Sequence, residues 1–238
     1  SKCDANSALL AALSLLQNKE TLHGVSAIIG AGCSQASVLV AQVAGNSHVP
    51  VVSPSSTSPT LSNGKAYPYF LRVVASDAIT TEVMVGVLVK LWNYTRVAVV
   101  HSTDAYGAGG ATGFAQAAFA QGLTVTTSIS FNEGSTDFKT AIARLCQTGS
   151  RVIVLFGQGS DASRLMHDAL VGGIGGEGFL WMLRDDSSPN AAYWNGDSST
   201  RERAFQGSFS VVPKGGVEGS QRYQHYLAQR RKLPPNAG

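Results

Sequence analysis

The sequence predicts an α/β protein of two doubly wound parallel-sheet lobes, and three observations carry that prediction. Strand-like apolar runs alternate with helix-like runs along most of the 238 residues. Those strand runs are apolar throughout instead of alternating with polar residues, as strands covered on both faces are. About seven strands and eight helices require more crossovers than one small sheet provides, and the chain length accommodates two lobes of about 100 residues each.

The elements follow in order. "NSALLAALSLLQ" carries apolar residues on a helical period, with Asp4 or Asn6 available as its cap. Strand "VSAIIG", helix "QASVLVAQVA" and strand "VPVVS" come next, then a Ser/Pro-rich turn, "SPSSTSPTLSNG", and the extended run "YFLRVV". Helix "TTEVMVGVLVKL", strand "RVAVVH", helix "ATGFAQAAFAQ" and strand "LTVTTSISF" continue the alternation. Helix "DFKTAIARLCQ", strand "RVIVLFG", helix "DASRLMHDALVG" and strand "GFLWML" complete it. The tail departs with "GSFSVV", "PKGGVEG" and a helix near "SQRYQHYLAQRR". "YFLRVVASD" is the best first crossing between lobes and "FSVVPKGG" the best return, giving residues 1–75, 76–211 and a return segment, 212–238.

Composition narrows the function. With 44% hydrophobic and 14% charged residues the chain buries a core and is not disordered. A net charge of +3 is too small to indicate a nucleic-acid partner, and the basic cluster "RRK" at 230–232 reads as a solvated helix end. No apolar run reaches the roughly 18 residues that span a bilayer. The opening "SKCDANSALL" has no signal-peptide pattern, and the chain reads as part of something longer. Three cysteines, Cys3, Cys33 and Cys146, suggest one pair and one buried thiol, and hence an oxidising compartment. The sequon Asn93-Tyr94-Thr95 points the same way, to glycosylation at Asn93. The five histidines show no ligand spacing, so neither a metal nor a cofactor is expected.

The turn after "VSAIIG" admits three chemistries. As a dinucleotide loop, Gly30-Ala31-Gly32 supplies two glycines, but the third falls on Gln35. "VVSPSS" also lacks the acid that a ribose requires. As a nucleophile elbow, Gly32-Cys33-Ser34-Gln35-Ala36 is one methyl from G-x-S-x-G, with Asp185 and His225 as the partners that a serine hydrolase using Ser34 would draft. As an anion site it needs only the free N–H groups and partial positive charge of a helix start, with serine hydroxyls beside them. Ser34 is one such hydroxyl, and Ser53-Pro54-Ser55-Ser56-Thr57 clusters more at the end of the next strand. Serines that merely cap helices and close turns would look the same.

The blocks "CDANSAL", "IIGAGCS", "SPSSTSPTLS", "YFLRVVASD" and "DAYGAGG" resemble the type I periplasmic-binding fold, from Cys3 to about Gly216. Bacterial leucine/isoleucine/valine-binding proteins share this ligand-binding region with the Venus-flytrap ectodomains of eukaryotic receptors. "WNYTRVAVVHSTDAYG" is most similar to the metabotropic-glutamate, GABA-type and plant glutamate-receptor-like ectodomains. The resemblance implies an extracellular or periplasmic sensor, not an enzyme. A small amino-acid-like ligand would sit between two lobes that close on it. The parent would carry a membrane-bound signalling or transport domain outside this chain, and a homodimer is left open. The resemblance also implies that lobe 1 is incomplete here, lacking an initial strand and helix.

Position by position, the resemblance assigns the ligand carboxylate to Ser34 and to Ser55, Ser56 and Thr57. It assigns a lobe-2 aromatic contact to Tyr106 and the ammonium to Asp185, or its neighbour Asp186. It pairs Cys3 with Cys33 in a disulfide and leaves Cys146 as a free buried thiol. Three positions depart from its pattern. Ala78 stands where amino-acid binders often have Thr, Gln158 where branched-chain binders have an aromatic, and Arg184 where a small residue precedes the acid. Arg184 would repel an ammonium or receive a second carboxylate.

Overall fold

The apolar runs assemble into two separate, wholly parallel sheets. The computed structural model describes residues 3–17, 24–184 and 198–212, together with Gln221, Gln224, His225 and Ala228. The first sheet has the order β1 (Ile28–Ile29), β2 (Val51–Ser53), β3 (Phe70–Arg72). Helices α1 (Ala5–Leu16) and α2 (Ser34–Asn46) cover one of its faces, where Ala8, Ala12, Ala36, Val40 and Ala44 pack with Ile28 and Val51. Small residues at these positions let the helices approach each other and the strands closely. Asp4, one of the two candidate caps, closes α1 by accepting from the Ser7 N–H at 2.7 Å. On the opposite face, Ile29, Val52 and Leu71 stand in register, and Ile29 is 87% exposed.

The second sheet has five strands in the order β5-β4-β6-β7-β8: β4 (Arg96–Ser102), β5 (Thr124–Phe131), β6 (Val152–Phe156), β7 (Leu180–Arg184) and β8 (Ser208–Val211). Helices α3 (Asp77–Gly86) and α4 (Ala105–Ala120) cover one face, packing Met84, Phe114 and Ala118 onto Val97, Val99, Val154 and Met182. Helices α5 (Lys139–Thr148), α6 (Gly159–Val171) and α7 (Ser198–Phe205) cover the other, with Ile142, Leu145, Leu165 and Phe205 on Val100, Ile153, Leu155 and Trp181. Trp181 is fully buried and its indole N–H donates to the Ile174 carbonyl at 2.8 Å, so the large ring is enclosed without an orphaned donor. The mixed α/β architecture with parallel sheets is therefore the one expected from the sequence. β3 is the last strand of the small sheet and β4 the first of the large one.

Local departures have physical causes. The expected helix "ATGFAQAAFAQ" starts at Ala111, yet α4 begins at Ala105 because Asp104 caps it, accepting from the Gly107 N–H at 2.7 Å. The glycines let that helix lie down. A Cβ on Gly107 would collide with the Ser102 backbone, its nitrogen 2.7 Å away, and one on Gly110 with the Phe156 ring. Helix α3 ends at Gly86, and the expected continuation is a π-helical turn, Val87–Leu91. Helix α7 is absent from the periodicity reading, since "SSTRERAF" has almost no apolar stripe. Most of the helix expected near "SQRYQHYLAQRR" lies outside the described residues.

Cys146 is a correction. It is free but exposed, not buried: Ala141, Ile142 and Leu145 form the inward face of α5, and Cys146 is one step further round the helix. No helix among the described residues is long and apolar enough to cross a membrane.

Candidate functional site

In a parallel sheet every strand delivers its carboxyl end to the same edge, and helices begin there. Both sheets turn those edges toward a common cavity of about 250 Å³. Gly32, Cys33, Ser34, Ser55 and Thr57 line it from the three-stranded side, Tyr106 and Gln158 from the five-stranded side. Its volume lies below the about 300–1,000 Å³ of drug-sized ligand sites, which suits a small molecule.

Cys33 occupies the N-cap position of α2, where Ser, Thr, Asp or Asn usually stands, and makes no side-chain cap bond. Its sulfur is joined instead to Cys3, with the two Cα atoms 5.4 Å apart. The N–H groups of Ser34, Gln35 and Ala36 consequently have no partner among the described residues. Ser34, 3% exposed, accepts from the Ser58 N–H at 3.1 Å, which leaves its own proton available to an acceptor in the cavity. Amides with partial positive charge and an orientable hydroxyl make this end of the cavity suited to an anion.

The serine-rich turn is folded by its own side chains. Ser53 Oγ donates to the Ala31 carbonyl at 2.6 Å and accepts from the Ser56 N–H at 3.0 Å. Thr57 lines the cavity, and Ser55, which also lines it, donates to the Gly32 carbonyl at 2.8 Å. Ser56 points away. It is fully buried, 2.8 Å from Ser37 Oγ and donating to the Gly32 carbonyl at 3.1 Å, so it braces the turn from inside. Tyr106, 5% exposed, follows the Asp104 cap in the first turn of α4. Ala78 is exposed and does not line the cavity. Asp185 and Asp186 lie outside the described residues. Asn93 is exposed in the turn before β4.

Arg184 is not a ligand contact. Its guanidinium is fully buried, 2.8 Å from the Asp77 carboxylate, which is also fully buried. The cation that looked free to repel an ammonium or take a second carboxylate is consumed inside the fold. No histidine among the described residues hydrogen-bonds Ser34, and His225 is exposed.

Pattern reading passed over Gln35 and Glu133. Gln35 Nε2 donates to the Cys3 carbonyl at 2.7 Å and to Glu133 Oε1 at 2.8 Å, joining the start of α2 to the loop after β5. Burial pushes the Glu133 carboxyl above its ordinary range; the Gln35 bond opposes this, and Asp104, Asp161 and Asp4 add to the rise. Asp161 is raised too, chiefly by burial, against the Gly134 N–H and Arg164. Carboxyls whose folded pKa exceeds the unfolded one hold protons more tightly in the fold. Their stabilising effect is complete below the unfolded pKa and is lost as pH rises through the folded value. Glu133→Gln, which retains a carbonyl acceptor for Gln35, should therefore raise the melting temperature at pH 7 and give no gain below the ordinary carboxyl range. A variant less stable than the parent at pH 7 would show that the charge on Glu133 is net favourable.

Two units of parallel sheet meeting at helix starts around a small cavity that Ser34, Ser55 and Thr57 line on one side define a ligand-binding domain of the periplasmic-binding type. The chain belongs to the receptor family ligand-binding region, whose family model matches residues 1–236. Among its relatives, human metabotropic glutamate receptor 8 is 29% identical over 216 residues, covering 87% of this chain and 23% of that protein. Metabotropic glutamate receptor-like protein E of Dictyostelium discoideum is 32% identical over 169 residues, 68% of this chain and 21% of its own length. Mouse metabotropic glutamate receptor 4 is 30% identical over 208 residues, 84% of this chain and 22% of the receptor. The chain thus spans less than a quarter of the length of these relatives.

Proposed function

We propose that the chain is the extracellular sensor of a membrane receptor and binds a small zwitterionic amino acid, with L-glutamate the first to test. The observation that carries this reading is the cavity itself. Ser34 and Thr57 stand on one wall beside helix amides that have no partner among the described residues, and Tyr106 and Gln158 on the other. In this reading the carboxylate meets Ser34, Thr57 and the α2 amides, and Ser55 joins them by turning its hydroxyl from the Gly32 carbonyl, while Asp185, next in sequence after Arg184, takes the ammonium. Residues 1–75 and 76–211 act as two lobes, with 212–238 returning to the first. A ligand that touches both walls favours the closed state by its differential contacts and shifts the population toward it. The signalling domain belongs to the parent protein, Asn93 carries a glycan, and a homodimer fits the same role. Hydrolysis by Ser34 is disfavoured because its Oγ accepts from a backbone amide and no described imidazole reaches it.

Calorimetry with an amino-acid panel tests the proposal. Losing a charge-assisted hydrogen bond costs about 1.5–3 kcal/mol, so Asp185→Asn should weaken binding roughly 10- to 150-fold. Ser34→Ala should weaken it less, because the neighbouring N–H groups remain. Binding unaffected by Asp185→Asn would move the ammonium contact to Asp186. Binding of succinate but of no amino acid would replace the zwitterion with a simple carboxylate.

A further inference from the structure

We propose that Arg72 is a positioning residue for the cavity, its guanidinium setting the backbone of the turn that presents Ser55 and Thr57. The inference rests on reading the cavity as the ligand site. Arg72 closes β3, where the strand leaves the small sheet, and it is a lone cation in the apolar run "YFLRVV". Its Nη1 donates to the Ser58 carbonyl at 2.8 Å and, more weakly, to the Ser56 carbonyl at 3.4 Å, while Nη2 donates to Ser62 Oγ. Between those two carbonyls lies that of Thr57, which accepts from the Asp77 N–H at 2.9 Å. Three consecutive carbonyls of the turn are thus held by Arg72 at the end of β3 and by Asp77 at the start of α3.

The same turn lines the cavity. With its carbonyls so held, the Ser58 N–H reaches Ser34 Oγ, and Ser55 and Thr57 line the cavity. Ser58 Oγ also donates to the Ala105 carbonyl at 2.8 Å, one residue before Tyr106, so the same turn sets the distance between the walls. Arginine suits this task because its planar fork addresses several acceptors in fixed directions, whereas lysine offers one mobile point charge. Asp77 adds a favourable charge to Arg72 from the start of α3.

The test compares Arg72→Met and Arg72→Lys in the full chain, by amide hydrogen exchange without ligand and by calorimetry with L-glutamate. The expected result is exchange of the Ser55, Ser56 and Ser58 amides about tenfold faster in Arg72→Met, with β4 and β6 keeping their protection. Affinity for L-glutamate should fall about 10- to 150-fold, with partial rescue in Arg72→Lys. Exchange that is unchanged in the turn, or that rises there only in step with β4 and β6, overturns the proposal. So does unaltered L-glutamate affinity in a variant whose turn has loosened. If Arg72→Met does not fold, Arg72→Lys supports the same comparison. If the parent chain binds no amino acid, the ligand reading fails and exchange alone decides the role of Arg72.

Discussion

Replacing Asp77 by alanine is expected to destabilise the chain by about 3–5 kcal/mol, the usual cost of stripping one partner from a buried ion pair. Asp77 and Arg184 are both fully buried, 2.8 Å apart, and join the first turn of α3 to the end of β7. Removing the carboxylate leaves the guanidinium charged in a low-dielectric interior without its ion-pair partner, and the hydrogen bond it donates to the Val211 carbonyl at 3.4 Å does not neutralise it. The loss should reach the site as well, because the Asp77 N–H holds the Thr57 carbonyl and α3 begins beside it. Asp77→Leu with Arg184→Met removes both charges and should recover most of the stability, since apolar pairs of similar volume often replace buried ion pairs at no cost. Denaturant titration of Asp77→Leu, Arg184→Met and the double variant isolates the coupling. If Asp77→Ala alone unfolds at the parent's midpoint, water or a rearranged carbonyl has solvated Arg184 and the pair is not a structural tie.

That pair also marks where the sequence stops being legible. Alternating apolar runs make the two parallel sheets readable, because a strand covered on both faces has only one way of looking in composition. Ser34, Ser55, Thr57 and Tyr106 were placed by turn chemistry and family resemblance, and the structure brings all four to one cavity. Ser56 shares their type and spacing but points inward, because consecutive residues of a turn cannot all face one way. Arg184 illustrates the harder case. Its partner lies 107 positions earlier in sequence (184 minus 77), and nothing local distinguishes a cation paired at long range from one awaiting a ligand. A signal was nonetheless present: an arginine at the end of "FLWML" or within "YFLRVV" interrupts a run that is otherwise buried, and buried charges are paired. Read that way, Arg72, Asp77 and Arg184 would have been sought as one cluster. Helix α4 failed to announce its start for the opposite reason. Its glycines weaken helix propensity, and their gain comes only from close packing against Ser102 and Phe156, which no local window contains.

Loss of the Cys3–Cys33 bond is expected to cost about 3–4 kcal/mol, the chain-entropy value for a closed loop of 30 residues. The consequence should be uneven. The large sheet and its two flanking cores make no use of the bond, whereas the small sheet, among the described residues, is covered on one face by a core rich in alanine. Cys33 caps α2 at the cavity, and Cys3 precedes the Asp4 cap of α1, so the bond ties the starts of both helices together. The Cys3 carbonyl also accepts from Gln35 Nε2, which reaches on to Glu133. Cys3→Ala with Cys33→Ala should therefore lower the unfolding midpoint, speed exchange in the first turn of α2 more than in β4 or β6, and weaken ligand binding through Ser34. Thiol counting gives an independent check, since the native unreduced chain should expose one reactive thiol, Cys146, and reduction should add two. Equal midpoints for the oxidised and cysteine-free chains would mean that the unfolded ensemble is not constrained by the bond. The rigidity of the Ser34 turn would then have to come from Ser58 and the α2 packing alone, because those contacts do not pass through sulfur.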